Sequence, residues 1–197
     1  VGSPMQEVIE FNRPQIESST ILQELSLSRD QYFVLSAHRE ENIDSEENFR
    51  DLIKSINALT EIYTKDIILS LHPRTAKKLN SLRANPLSSS VTILKPLAFH
   101  DYMMLQKNAF CVISDSGTIT EEASILNIAA ITIRQAHERP EGMDHGTLIM
   151  SGLKAERIIE AIDVVTNQHS RSSENHEIVT DYDTQNFSLK VLRIVLS

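Results

Sequence analysis

Apolar residues switch between two spacings along this chain. Gln31 to His38, Asp66 to His72, Val91 to Lys95, Ala109 to Ser114 and Ala129 to Arg134 are short runs rich in Val, Ile, Leu and Phe. Unbroken runs of this kind suit strands covered on both faces, so they predict a buried parallel sheet. Between them the spacing lengthens. Ser45 to Tyr63 sets Phe49, Leu52, Ile53, Ile56 and Leu59 at helical intervals behind an acidic start, and Lys154 to Asn167 repeats the pattern after Gly152. Pro73 and Arg74 open a basic helix through Lys77 and Lys78, Phe99 to Lys107 forms a short one, and Gln185 to Leu196 is spaced for a last helix. The polar stretch Asn167 to Asp183 reads as a loop. Strand and helix alternate, which predicts an α/β fold.

Composition narrows what such a fold can do. With 197 residues and 41% hydrophobic content, the chain can bury a proper core. Its net charge of -8 argues against nucleic acid or an anionic membrane as the main partner, since either needs a basic face. Any bound anion must be held locally. The single cysteine, Cys111, lies in an apolar run, allows no intramolecular disulfide and reads as a small core residue. A reducing, cytoplasmic setting fits. No apolar stretch reaches the length of a membrane span, and no secretion signal opens the chain, so a soluble protein is expected.

Ligands of an open parallel sheet sit beyond the carboxyl ends of its strands. There this chain places SAHREENID, LHPRT, SDSGTITEE and RQAHERPEGMDHG, all polar and rich in histidine and arginine. In SDSGTITEEASIL, Gly117 permits close approach to a ligand, and the amides of Gly117 and Thr118 would open a helix suited to a phosphate. A plain cap is the competing reading, because Thr118 and Glu121 have the spacing of a capping box. Glu121 and Glu122 fall about 100° apart around a helix, so only one can face a ligand. A carboxylate a turn beyond a phosphate site suits the hydroxyls of a ribose, which points to a nucleotide. Five of the seven histidines, at 38, 72, 100, 137 and 145, form no metal-binding motif, so no metal is expected.

The motifs SAHREEN, HPRT, LKPLAFHDYMML, SDSGTITEEASIL and RQAHERPEGMDHGT, in this order, closely resemble the C-terminal half of the non-hydrolysing UDP-N-acetylglucosamine 2-epimerases. Together they cover most of residues 1 to 153. The resemblance implies a Rossmann-like parallel sheet flanked by helices, the C-terminal half of a two-domain GT-B fold with UDP between its halves. It divides the chain into a linker remnant at 1–5, a UDP-binding domain at 6–183, and a C-terminal helix at 184–197 that packs back on the other domain. Ser116 and Gly117 then bind the diphosphate, Glu122 takes the ribose hydroxyls, and Glu121 is structural. Tyr102 lies beside the uracil, although an aromatic spaced with Phe99 and Leu105 also suits a core. Arg139, in ERPE, neutralises phosphate charge with its planar fork. Arg134 and His72 join the nucleotide site, with a strand-end ion pair and a turn cap as their respective alternatives. His38, in HREEN, is the catalytic candidate, able to donate to the diphosphate or move a proton.

The implied reaction inverts C2 of a UDP-linked N-acetyl amino sugar without a cofactor. A base takes the C2 proton as UDP leaves C1, giving a 2-acetamidoglycal, and UDP then adds back with a proton delivered to the opposite face. The family's acid/base carboxylates belong to the other domain, so this chain alone should bind UDP weakly and turn nothing over. The full-length enzyme is expected to be a homodimer. DSGT in place of the common DSGG, and AHERPE in place of TTERPE, look more like the branch that forms UDP-N-acetyl-L-fucosamine for capsule or O-antigen synthesis. The other readings are a UDP-N-acetylglucosamine epimerase, a GT-B glycosyltransferase and a UDP-sugar-sensing domain.

Overall fold

The buried runs pair side by side. In the computed structural model, which describes residues 2–71, 73–80, 87–135, 146, 148–172 and 178–197, they form a six-stranded sheet in the order β3-β2-β1-β4-β5-β6. The strands are β1 Tyr32–Ala37, β2 Asp66–Leu71, β3 Val91–Leu94, β4 Cys111–Ser114, β5 Ala130–Thr132 and β6 Ile149–Met150, and every neighbouring pair is parallel. Two residues are too few to show a hydrophobic period, which is why β6 is not foreseen from the sequence.

Alternation along β1 builds a layer on each side of the sheet. Phe33, Leu35 and Ala37 join Phe49, Leu52, Ile56 and Leu59 of α4 (Glu46–Tyr63) and Ile158 and Ile162 of α8 (Ala155–Ser172). Tyr32 and Val34 face the other way, onto Leu105 of α6 (Phe99–Asn108) and Ile119 and Ala123 of α7 (Ile119–Leu126). This is the expected Rossmann-like sheet flanked by helices. Ser45 starts α4 by accepting the Asn48 N–H at 3.3 Å, and Thr64 ends it in the left-handed region at φ 50°. Cys111 is fully buried, and burial pushes its thiol far above the usual range, leaving it unreactive.

Three stretches differ from expectation. Helix α8 continues to Ser172, so the start of the polar stretch after Asn167 is helical. At the N-terminal end, α1 (Met5–Glu17) and α2 (Ile21–Glu24) occupy a stretch with no helix foreseen, and α1 buries Ile9 and Ile16 against Met103 of α6. After β1, the HREEN segment winds into the short α3 (Glu40–Asp44). The remaining helices, α5 (Pro73–Asn80) and α9 (Phe187–Leu196), fall where the spacing put them. Among the described residues no helix is long and apolar enough to cross a membrane.

Strand order reverses between β1 and β4, because β1 leads outward to β2 on one side and β4 to β5 on the other. In open parallel sheets the crevice that takes ligands lies at the carboxyl ends of the two strands flanking such a reversal, here β1 and β4.

Candidate functional site

The crevice is organised around a buried carboxylate. β1 and β4 run in register, with Ser36 opposite Ser114, and the Asp115 N–H donates to the Ser36 carbonyl at 3.2 Å. Asp115 is 0% exposed. Its carboxylate accepts the His38 N–H at 3.0 Å, the Arg39 N–H at 2.9 Å and the Asn42 side-chain amide at 2.9 Å. Its carbonyl accepts from the Arg39 Nε at 3.2 Å. One acidic residue thus ties down the whole start of the HREEN segment, and His38 stands exposed at the crevice mouth.

The adjoining turn is held by its own hydroxyls. The Ser116 N–H donates to Ser114 Oγ at 3.1 Å, the Thr118 N–H donates to Ser116 Oγ at 3.3 Å, and the Ser116 and Thr118 hydroxyls lie 2.9 Å apart. Thr118 precedes α7 without making a side-chain cap, so the capping box does not form. Glu121 is drawn elsewhere, accepting from the Ser3 hydroxyl at 2.6 Å.

Glu122 turns toward α6 and is only 6% exposed. Gln106 Nε2 donates to its Oε2 at 2.9 Å. Burial raises the Glu122 carboxyl above the usual carboxylate range, while bonds from Gln106 and Thr118 pull the other way. Tyr102 is half-buried against the apolar clusters of α1 and α6. Its hydroxyl lies toward Ser36 and Gln106; burial, aided by the Glu122 charge, holds that hydroxyl un-ionised. The two adjacent glutamates therefore serve different neighbourhoods.

The structure brings together His38, Ser116, Gly117, Glu122 and Tyr102 around the ends of β1 and β4. Arg134 is 6% exposed just past β5, kept beside β4 by the Ile133 N–H donating to the Ser114 carbonyl at 3.1 Å. His72 and Arg139 lie outside the described residues, as does His137. Sequence reasoning missed Asp115 and Gln106. Asp115 carried a signal, a charge directly after the buried run Cys111 to Ser114; Gln106, one turn after Tyr102, carried only its spacing. Among the described residues no group of His, Cys, Asp and Glu is placed to hold a metal ion.

A family model described as UDP-N-acetylglucosamine 2-epimerase matches residues 1–196. The chain belongs to this family. A UDP-N-acetylglucosamine 2-epimerase of Methanocaldococcus jannaschii is 39% identical over 145 residues, 71% of this chain and 39% of that protein. The solved structure of the UDP-N-acetylglucosamine 2-epimerase from Rickettsia bellii superposes with a TM-score of 0.90 at 48% identity, over 99% of this chain and 52% of that one. The Methanocaldococcus jannaschii enzyme solved in complex with UDP-GlcNAc and UDP gives a TM-score of 0.84 at 30% identity, over 100% of this chain and 54% of that one. This epimerase-family chain thus spans between two fifths and about half of the length of the relatives it matches.

Proposed function

We propose that this chain is the UDP-binding part of a non-hydrolysing 2-epimerase of UDP-linked N-acetyl amino sugars. The observation that carries the reading is the buried Glu122 carboxylate, set one turn beyond the Ser116–Gly117 turn at the point where the strand order reverses. A carboxylate there suits a pair of ribose hydroxyls, and the turn offers the diphosphate the Gly117 amide and the Ser116 and Thr118 hydroxyls, the Ser116 and Thr118 amides being taken up within the turn. Tyr102 flanks the base, His38 faces the diphosphate, and Arg134, Arg139 and His72 add donors. A complex of a relative with UDP-GlcNAc and UDP supports the ligand class.

Negative charge builds on the diphosphate as the C1–O bond breaks, so donors fixed on that group lower the barrier to departure of UDP. The C2 proton leaves with it, and the 2-acetamidoglycal takes UDP back at C1 and a proton on the other face of C2. The groups that move these protons come from the other half of the two-domain enzyme. Helix α9, which buries none of its residues, packs on that half.

Titration calorimetry tests the site. UDP should bind more tightly than ADP, and Ser116→Ala and Glu122→Ala should each weaken UDP by about tenfold or more, the size of one lost bond to a charged group. Equal affinity for the two nucleotides, or unchanged binding by both variants, would sink the assignment. Within the substrate class, the DSGT and AHERPE variants resemble the branch that takes UDP-2-acetamido-2,6-dideoxy-L-talose, whereas the relatives' names favour UDP-N-acetylglucosamine. Proton exchange at C2 in deuterium oxide, assayed on the two-domain enzyme with each sugar nucleotide, separates them.

A further inference from the structure

Asp115 belongs to both halves of the crevice at once. Its main chain begins the Ser116–Gly117 turn, while its side chain bonds the opposite loop at His38, Arg39 and Asn42. A carboxylate is small and planar, and donors from three residues around it leave the loop little freedom to rotate. Because Asp115 takes up the amides of His38 and Arg39, this loop shows the crevice its side chains instead of its main-chain donors.

We infer that Asp115 is a positioning residue, fixing His38 relative to the Ser116–Gly117 turn so that both engage one diphosphate. The inference rests on the nucleotide-site reading above and adds to it a residue that touches no ligand. Asn42 shares the task, since its side-chain amide donates to the same carboxylate oxygen as the Arg39 N–H and the residue is 0% exposed.

The test is UDP affinity of the chain, followed by two-dimensional amide NMR, for wild type, Asp115→Asn, Asn42→Ala, His38→Ala and the two double variants with His38→Ala. Asp115→Asn should weaken UDP about tenfold and Asn42→Ala about threefold, the scale of losing one charged hydrogen bond or part of it. In the His38→Ala background neither should weaken it further, because the imidazole they position is gone. A purely structural role would give the same loss in both backgrounds. That result, or wild-type affinity in both Asp115→Asn and Asn42→Ala, overturns the inference. Should Asp115→Asn lose its dispersed amide spectrum, Asn42→Ala decides by the same comparison. If His38→Ala binds UDP like wild type, the role given to His38 fails and this inference falls with it. If wild type shows no UDP-dependent shifts, the nucleotide site itself is wrong.

Discussion

At the ends of β1 and β4 the carboxylates of Asp115 and Glu122 are 0% and 6% exposed, whereas on α9 Val195 and Leu196 are 74% and 76% exposed. The first region hides charge and the second displays hydrocarbon. Each reverses the usual arrangement, but they are held in place differently. Both crevice carboxylates are fixed by partners inside the chain: Asp115 by donors from three residues, which make it stabilising, and Glu122 by fewer, at some cost in stability that a ligand can repay. On α9 the first turn is anchored by the Ser188 N–H and hydroxyl donating to Glu7 at 2.9 and 2.7 Å. An exposed apolar face of this kind is what the contact proposed with the other half would cover.

The largest effect should follow from emptying the crevice of its organising charge. Asp115→Ala leaves the donors of His38, Arg39 and Asn42 without their acceptor in a buried place. A loss of about 3 kcal/mol or more in urea unfolding is expected. A loss below about 1 kcal/mol would mean that water replaces the carboxylate and that the two loops are not joined through it.

Glu122 should behave in the opposite sense. Its folded-state pKa is raised by burial, so the folded chain binds more protons than the unfolded one. Its contribution is fully present below the ordinary carboxylate pKa of 4.5 and is lost as the pH rises through the higher folded value. At neutral pH that contribution is reduced, because the fold must either hold the group protonated against the solvent or carry its charge in a buried place. Glu122→Gln should raise the melting temperature at pH 7 by about 2–4 °C, the scale of one kcal/mol in a chain of this size, while weakening UDP. The gain should vanish near pH 4. A variant less stable than wild type at pH 7 would show that Gln106 and Thr118 outweigh the burial. That opposition of stability and binding is expected of a site kept for a ligand.

How far the sequence spoke for itself differs between the same regions. The five longer strands and helices α4, α6 and α8 were legible because burial on both sheet faces or on one helix face imposes a period on residues such as Phe33, Leu35, Phe49 and Leu52. Helix α1 was not, since Pro14 sits inside it and removes a main-chain donor. In the crevice, Ser116, Gly117 and Glu122 stood out by their types and spacing. The bond from Ser3 to Glu121, which displaces the capping box, joins residues 118 positions apart and leaves no local trace. Gln106 beside Glu122 is hidden for the same reason, being a contact between two helices.

The smallest effect should come from α9. Leu192 is 52% exposed, Val195 is 74% exposed, and the helix buries none of its residues, so the described fold gains little from their side chains. Replacing Leu192 and Val195 together by serine should shift the unfolding free energy of this chain by no more than about 0.5 kcal/mol, as for other exposed positions. The same pair, made in a two-domain enzyme in which α9 packs on the other half, would remove apolar area from an interface at about 25 cal/mol per Å² and lower its stability. The contrast between the two settings is the informative quantity. Equal, negligible losses in both would leave α9 without the interdomain contact proposed for it, and a large loss in the chain alone would show that the helix already packs on α1.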